Sequence, residues 1–228
     1  MYLTPPGSSV LTPVFRVFYN GPEDKARQLA APLYDLGPTH CIGGMCRFPS
    51  TTDIPPHVNF PGYDRYSVTS AHLDYPLDED FLLETFQRFR NVVEQYPARL
   101  APAKCVLDLR SYKKVAAVPV DRMAYSGRYD TAWLIPELQY DDPELDAIMS
   151  RELVGITSFV REAMMKKKAQ MPTHRDYTAI YPNLSEGGEG KSKKVFGPNL
   201  QRLQQLKAKY DPDMVWNKWF PIVPASTD

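Results

Sequence analysis

The segment from Asp142 to Lys168 most constrains the fold, because its apolar residues recur at the spacing of one long α-helix. Asp142 is typical of a helix N-cap, and Pro143 is typical of a first helical position. Acidic residues follow in the first turn and lysines occupy the last turn, so both ends suit the helix dipole. The apolar stripe consists of Leu145, Ile148, Met149, Leu153, Ile156, Val160 and Met164. A stripe of this length must be buried against another apolar surface.

The rest of the chain shows a mixture of strand and helix patterns. Alternating apolar residues predict strands, and apolar residues at helical spacing predict helices. The predicted strands cover 13–19, 41–48, 66–73, 104–111, 117–128 and 131–138, and the further predicted helices cover 22–35, 78–96 and 198–210. Because several strands follow one another without an intervening helix, we predict an α+β fold. Its sheet should be largely antiparallel, with about five to seven strands and helices packed on one face.

The composition changes near residue 177, where regular patterns give way to loops. We therefore predict two units, an α+β domain at 1–176 and a loop-rich C-terminal tail with one helix at 177–228. Proline at 22 residues is consistent with many loops and interrupted elements.

The overall charge predicts neither a nucleic-acid-binding nor a membrane protein. Lys plus Arg number 27 and Asp plus Glu also number 27, so no net positive charge attracts phosphate. No apolar run is long enough for a transmembrane helix, and the first residues lack the pattern of a secretory signal. We therefore expect a cytoplasmic protein. His40, Cys41 and Cys46 lack a fourth ligand for zinc, so no metal is expected.

The stretch SEGGEGKS at 185–192 is similar to a phosphate-binding loop but departs from it in three ways. Ser185 stands in place of the first glycine, and two glutamates would repel a phosphate. Gly197 and Pro198 would also interrupt a helix that began near Lys191. We therefore predict a solvated loop rather than a nucleotide site.

The C-terminal segment combines an aromatic-x-Asn segment, a variable acidic loop, and a Gly-x-Asn helix start followed by Asp-Pro and an aromatic residue. The residues of this pattern are Tyr181-Pro182-Asn183, Phe196-Gly197-Pro198-Asn199, Arg202-Leu203, Lys207, Tyr210-Asp211-Pro212 and Trp216. The pattern resembles the C-terminal segment of the berberine bridge enzyme-like FAD-linked oxidases. Residues 121–128 and 20–38 also resemble a strand and the first helix of the family's substrate domain.

This resemblance implies an FAD-linked oxidoreductase of secondary metabolism that acts on a small, mostly apolar natural product. It extends over the family's substrate-binding half and tail, at 1–176 and 177–228. The sequence shows neither the glycine-rich pyrophosphate segments nor the histidine that attaches the flavin in the family. We therefore expect that FAD, the family's cofactor, is not bound by this chain alone and requires an FAD-binding partner chain. The alternative is a flavin-free cyclase or isomerase, a binding subunit, or an inactive relic.

The resemblance also implies candidate site residues. Many family members carry a catalytic tyrosine directly after the asparagine, but here that position is Leu184. The remaining candidates for the catalytic base are Tyr181 and Tyr177, which would lie on one face of a strand. Candidates for substrate binding are Arg128, Tyr125 and Asn183. The alternatives are packed tyrosines with satisfied hydroxyls and a surface arginine.

The tail ends in a cluster of large apolar side chains, Trp216, Trp219 and Phe220. In the family this part of the chain returns to the FAD domain. We therefore expect these rings to bind a partner, to mediate self-association or to pack on the remaining sheet.

Overall fold

The computed structural model describes residues 2–3, 10–45, 63–96, 99–100, 103–170, 180–185 and 190–226. Its sheet has six strands, and all of their pairings are antiparallel. The order is β2-β1-β5-β6, and both β3 and β4 pair with the other edge of β6. The strands are β1 Tyr2–Leu3, β2 Thr12–Pro13, β3 Arg65–Val68, β4 Ala71–Leu73, β5 Lys104–Asp108 and β6 Ala132–Tyr140.

Two long helices pack on this sheet, and their starts follow the capping residues in the sequence. Asp78 accepts a hydrogen bond from the backbone N–H of Phe81 at 2.9 Å, and Asp142 accepts one from that of Glu144 at 2.8 Å. A single 3₁₀ turn, Pro143–Leu145, leads into the longest helix. The helices are α1 Glu23–Tyr34, α2 Glu79–Gln95, α3 Lys113–Ala116, α4 Asp146–Gln170, α5 Ser192–Phe196 and α6 Leu200–Tyr210.

The main core lies between one face of the sheet and helices α2 and α4. Leu134, Leu138 and Tyr140 alternate along β6 and point into this core. The buried apolar stripe of α4 and of the 3₁₀ turn before it faces them: Leu145, Met149, Leu153, Ile156, Val160 and Met164. The antiparallel α+β fold with its helices on one face is therefore confirmed.

Strand β6 is buried on its second face as well. Trp133, Ile135, Glu137 and Gln139 alternate with the core residues, and each is less than 9% exposed. Glu137 is paired with Lys104 across the strands, Nζ to Oε2 at 3.0 Å, and their side chains are 6% and 7% exposed. This second face therefore combines apolar, aromatic and charged groups.

Pro136 divides the predicted strand 66–73 into β3 and β4. Its carbonyl accepts a hydrogen bond from Thr69 N–H at 3.4 Å. Because a proline has no N–H to return, the ladder is interrupted opposite Pro136. The register is unchanged on either side, with Val68 opposite Glu137 and Ala71 opposite Leu134.

Several predicted elements differ from the structure. The predicted strand 117–128 is wrong, because this segment forms a 3₁₀ turn, Val120–Arg122, and irregular backbone after α3. Of the predicted strand 13–19 only its first residue is in a strand, β2. Residues 41–45 form no strand, and 46–48 lie outside the described residues. The predicted helix 22–35, in contrast, agrees with α1, which contains Pro32.

The tail has a small apolar cluster of its own. Ile180, Val195 and Phe220 are buried in it, and Tyr125 and Phe196 pack against it. The predicted boundary between 176 and 177 lies outside the described residues, so the division into two units stays a prediction. Within the described ranges, no helix has the length and apolar character to cross a membrane.

Candidate functional site

Three strands place a row of functional side chains on the sheet face opposite α2 and α4. Trp133 in β6 is paired with His72 in β4 on one side and with Asp108 in β5 on the other. The His72 and Trp133 ring centroids are 3.9 Å apart, and His72 is 3% exposed. Tyr129 approaches His72 edge-on at 5.8 Å. The row is therefore aromatic at its centre and acidic at one end.

Tyr181 and Tyr125, both candidates from the sequence, meet at this row. The ring of Tyr181 lies 5.4 Å from that of Trp133 and 5.9 Å from that of Tyr125, the latter in an edge-to-face arrangement. Edge-to-face rings at this separation attract each other. Residues from three distant parts of the chain thus form one aromatic site, which consists of His72, Tyr125, Trp133 and Tyr181.

The hydroxyl of Tyr125 is buried and has no hydrogen-bond partner among the described residues. Burial raises the pKa of Tyr125, and the neighbouring Tyr181, Tyr129 and Tyr112 raise it further. Gly127 makes room for this phenol, because a Cβ there would collide with the Tyr125 hydroxyl oxygen. A buried polar group without a partner is unusual in a folded protein, and a bound ligand is one way to satisfy it.

A charged cluster borders the aromatic site. Arg110 donates to both carboxylate oxygens of Asp108, Nε to Oδ1 at 2.7 Å and Nη2 to Oδ2 at 2.6 Å. The Tyr112 hydroxyl donates to the same carboxylate at 3.3 Å, and the Tyr112 N–H donates to Asp130 at 2.8 Å. Arg110 and Tyr112 both interact electrostatically with Tyr181. The site therefore offers phenols, a guanidinium and a carboxylate beside its rings.

The other candidates lie elsewhere. Arg128 donates through Nε to the Val115 carbonyl at 3.1 Å, and its Nη1 lies 3.0 Å from the sulfur of Met123. Asn183 is exposed in a 3₁₀ turn, Pro182–Leu184. Tyr177 lies outside the described residues. The proposed roles of these three residues stay predictions.

The tail holds the turn that follows Tyr181. Trp219 Nε1–H donates to the Pro182 carbonyl at 2.7 Å, and the next residue, Phe220, is buried in the tail cluster. Trp219 adopts a φ of 65°, which is uncommon for a residue other than glycine. Trp216 and Trp219 remain 73% and 57% exposed. Trp219 therefore holds the turn next to Tyr181, although its ring remains 57% exposed.

Several residues of the family motif have structural roles in the tail. Gly197 has a φ of 50°, and a Cβ there would lie 2.8 Å from the Ser126 hydroxyl oxygen. Asn199 Nδ2 donates to the carbonyls of Val120 and Met123, both at 2.8 Å. Asp211 is paired with Lys207. The hydrogen bonds of Asn199 therefore connect the tail to the segment 120–126, which contains Tyr125.

The expectation that this chain alone does not bind FAD stays a prediction. A pyrophosphate is typically bound by a glycine-rich turn whose N–H groups converge at the start of a helix. Within the SEGGEGKS stretch, residues 186–189 lie outside the described residues. The helix α5 that begins at Ser192 has only five residues, and the Ser192 hydroxyl donates to the Pro221 carbonyl at 2.5 Å. Among the described residues, no three metal-ligating side chains lie in one group.

Sequence reasoning missed five residues of the site: His72, Asp108, Arg110, Tyr112 and Trp133. The alternation in residues 131–138 places Trp133 opposite the core residues of its strand, which is a usable signal. His72 and Asp108 join it only through the pairing of separate strands, which single-strand patterns do not reveal.

Comparison with known proteins relates the chain to flavin enzymes. The family model "Berberine and berberine like" matches residues 181–220. FAD-linked oxidoreductase pgmH of Aspergillus terreus is 61% identical over 226 residues, which are 98% of this chain and 46% of that protein. FAD-linked oxidoreductase fogF of Aspergillus ruber is 26% identical over 88% of this chain and 40% of its own length.

Two solved structures are also similar to this chain. An aclacinomycin oxidoreductase has a TM-score of 0.49 and 21% identity, over 72% of this chain and 34% of its own. A variant of berberine bridge enzyme has a TM-score of 0.41 and 14% identity, over 71% of this chain and 33% of its own. The chain spans about half the length of the Aspergillus terreus relatives that it matches. Across that span, it belongs to the berberine bridge enzyme-like family of FAD-linked oxidoreductases.

Proposed function

We propose that this chain forms the substrate-facing part of an FAD-linked oxidoreductase that acts on a small, largely apolar natural product in secondary metabolism. The observation that carries this proposal is the contact of Tyr181 with both Trp133 and Tyr125 on the sheet face away from the helices. The names of the relatives support the reaction class, because they are FAD-linked oxidoreductases.

The aromatic site suits a flat, mostly apolar substrate. Tyr125 and Tyr181 are partly exposed beside the buried Trp133, and their rings favour aromatic or polyunsaturated molecules. The unpartnered hydroxyl of Tyr125 can bond one polar group of such a molecule. Binding sites of this kind combine many apolar contacts with a few polar groups that fix orientation.

Tyr181 is the proposed proton acceptor. Its phenol is the only catalytic candidate from the sequence that lies within the described residues. Arg110 and Tyr112 interact with it electrostatically, and Arg110 is itself held by Asp108. A phenol can serve as a general base when a substrate hydroxyl or carbon loses a proton.

The cofactor in this proposal is held by an FAD-binding partner chain, and not by this chain alone. Purified chain mixed with excess FAD and passed through gel filtration should elute without flavin. Its visible absorbance should then be that of a colourless protein. Flavin retained in equal molar amount would contradict this part of the proposal.

Metabolite analysis in the producing organism tests the oxidation itself. Deletion of the gene should cause a compound to accumulate that carries two more hydrogens than the normal product. Tyr181→Phe should cause the same accumulation, because it removes the proton acceptor while keeping the ring. The matched control is Tyr210→Phe, which alters a tyrosine that is 67% exposed on α6 and should leave the product unchanged.

The same experiment separates the flavin-free alternative. This alternative stays open because the sequence shows neither the glycine-rich pyrophosphate segments nor the flavin-attaching histidine of the family. A cyclase or isomerase would leave a precursor with the same mass as the product. If an isomer of the product accumulates in the Tyr181→Phe strain, the reaction is a cyclisation or isomerisation and not an oxidation.

A further inference from the structure

A cavity lies away from the aromatic site, between β3, α4 and residues of 180–185 and 190–194. Its volume is about 380 Å³. None of the aromatic-site residues lines it. This volume is within the range of small-molecule pockets. The cavity therefore needs an explanation separate from the proposed oxidation.

The charged side chains around this cavity are mainly cationic. Arg161, Lys191 and Lys194 line it together with one carboxylate, Glu162. Arg161 Nη2 donates to the Ser70 carbonyl at 3.0 Å, and among the described residues no carboxylate pairs with it. Burial lowers the pKa of Arg161, and no acidic neighbour offsets this effect. A partly buried guanidinium without a counter-charge is costly, and an anion in the cavity would reduce that cost.

Ser185 adds a second, independent observation. It lines the same cavity and is 5% exposed. Its hydroxyl oxygen has no hydrogen-bond partner among the described residues. A hydroxyl can donate one hydrogen bond, and a guanidinium and an ammonium donate several more. Together these groups match an oxyanion, since charge-assisted bonds to carboxylate and phosphate are the strongest of their kind.

The rest of the lining indicates an organic ligand. Leu153, Val154 and Met165 of α4 line the cavity beside the charged groups. A bare phosphate would leave these apolar side chains and most of the volume without contacts. We propose that this cavity binds an organic oxyanion, a carboxylate or phosphate monoester attached to an apolar group, through Arg161, Lys194 and Ser185.

Such a ligand would connect α4 with the segment that carries Tyr181. Arg161 belongs to α4, whereas Ser185 and Lys194 belong to the segment that begins beside Tyr181. Binding at all three would hold that segment against the helix. The aromatic site and the oxyanion site would then be coupled through the few residues between Tyr181 and Ser185.

Isothermal titration calorimetry with phenyl phosphate and with benzoate tests the proposal. At least one of these probes should bind the wild-type chain saturably, and the better probe identifies the oxyanion. Lys194→Gln should weaken that binding about tenfold, which corresponds to the loss of one charge-assisted hydrogen bond. The matched control is Lys193→Gln, which removes the same charge from the adjacent exposed lysine, a residue that does not line the cavity. It should leave the affinity unchanged.

Three results would overturn the site. These are no saturable binding of either probe, equal weakening by both lysine variants, or inorganic phosphate that binds as tightly as phenyl phosphate. Arg161→Gln provides a second test and should also weaken binding at least tenfold. If that variant does not fold, as judged by circular dichroism, the comparison of the two lysine variants still decides.

Discussion

The Tyr125 hydroxyl allows a stability measurement at the scale of one residue. It is buried without a partner among the described residues, so Tyr125→Phe removes an unsatisfied polar group. An unsatisfied group costs about 1–3 kcal/mol. We therefore expect the free energy of unfolding in urea to stay the same or to rise by up to about 1 kcal/mol.

Tyr140 is the matched control for this prediction. It is also buried, at 3% exposed, but its hydroxyl is bonded to Asp146. Tyr140→Phe should lower the free energy of unfolding by about 1 kcal/mol, because it removes a bond that is made. If both variants lose stability equally, the Tyr125 hydroxyl has a hydrogen-bond partner within the protein and is not free to bond a ligand.

Single residues were predictable where their chemistry or the family pattern marks them. Tyr181 and Tyr125 came from the family pattern, and the structure places their rings together. The substrate-binding role of Arg128 stays a prediction, and its guanidinium donates to the carbonyl of Val115 in α3. The sequence analysis did not predict this short helix at 113–116.

Elements were predictable where local signals decide their structure. Helices α2 and α4 begin at capping aspartates and carry clear apolar stripes, so their bounds agree with the prediction to within a few residues. The predicted strand 117–128 failed because its carbonyls bind elsewhere. The Val120 and Met123 carbonyls accept from Asn199, a residue of the tail more than seventy positions along the chain. Local propensity does not reveal such a partner.

The connection between α6 and the residues that follow it in the tail depends on one carboxylate, and this makes the packing of those residues sensitive to acid. Asp211 is buried and accepts hydrogen bonds from Val215 N–H at 2.7 Å and Trp216 N–H at 3.2 Å. Burial acts to raise the pKa of Asp211, but the bonds from Lys207 and these two N–H groups outweigh it, so the pKa is lowered. The folded value therefore lies below the unfolded value of about 3.9.

This direction fixes the pH window of the effect. The stabilisation from Asp211 is complete above the unfolded pKa and is lost as the pH falls through the folded pKa. Tryptophan fluorescence of Trp216 and Trp219 should therefore report undocking of the tail below about pH 4.

Asp211→Asn should loosen the tail at neutral pH and weaken the acid transition. Asp213→Asn, at an exposed position nearby, should change neither the tail at neutral pH nor the acid transition. If the acid transition is unchanged in Asp211→Asn, the transition belongs to another titratable group.

At the scale of the whole molecule, the fold class followed from the order of strands and helices, but the second face of the sheet did not. Strand β6 is buried on both faces, and its outer face carries Trp133 and the Lys104–Glu137 pair. Helix packing accounts for one face only. The aromatic site exists because the tail returns to the segment 120–126 and brings Tyr181 to the other face, a long-range arrangement that patterns along the chain do not encode.

The tail also carries an exposed apolar patch, formed by Val215, Trp216, Trp219 and Val223, and we expect it to cause self-association. These side chains are 73%, 73%, 57% and 59% exposed, whereas Phe220 is buried in the tail cluster. Trp219 also bonds the Pro182 carbonyl, so Trp216 is the better residue to change. Trp216→Ser should lower concentration-dependent association in sedimentation velocity. It should shift the melting temperature by no more than a few degrees, because an exposed ring contributes little to folding.

The control Leu83→Ser changes a residue on α2 that is 55% exposed and should leave association unchanged. A wild-type chain that stays monomeric, together with a Trp216→Ser variant that unfolds, would show that this ring supports the fold rather than a contact between molecules.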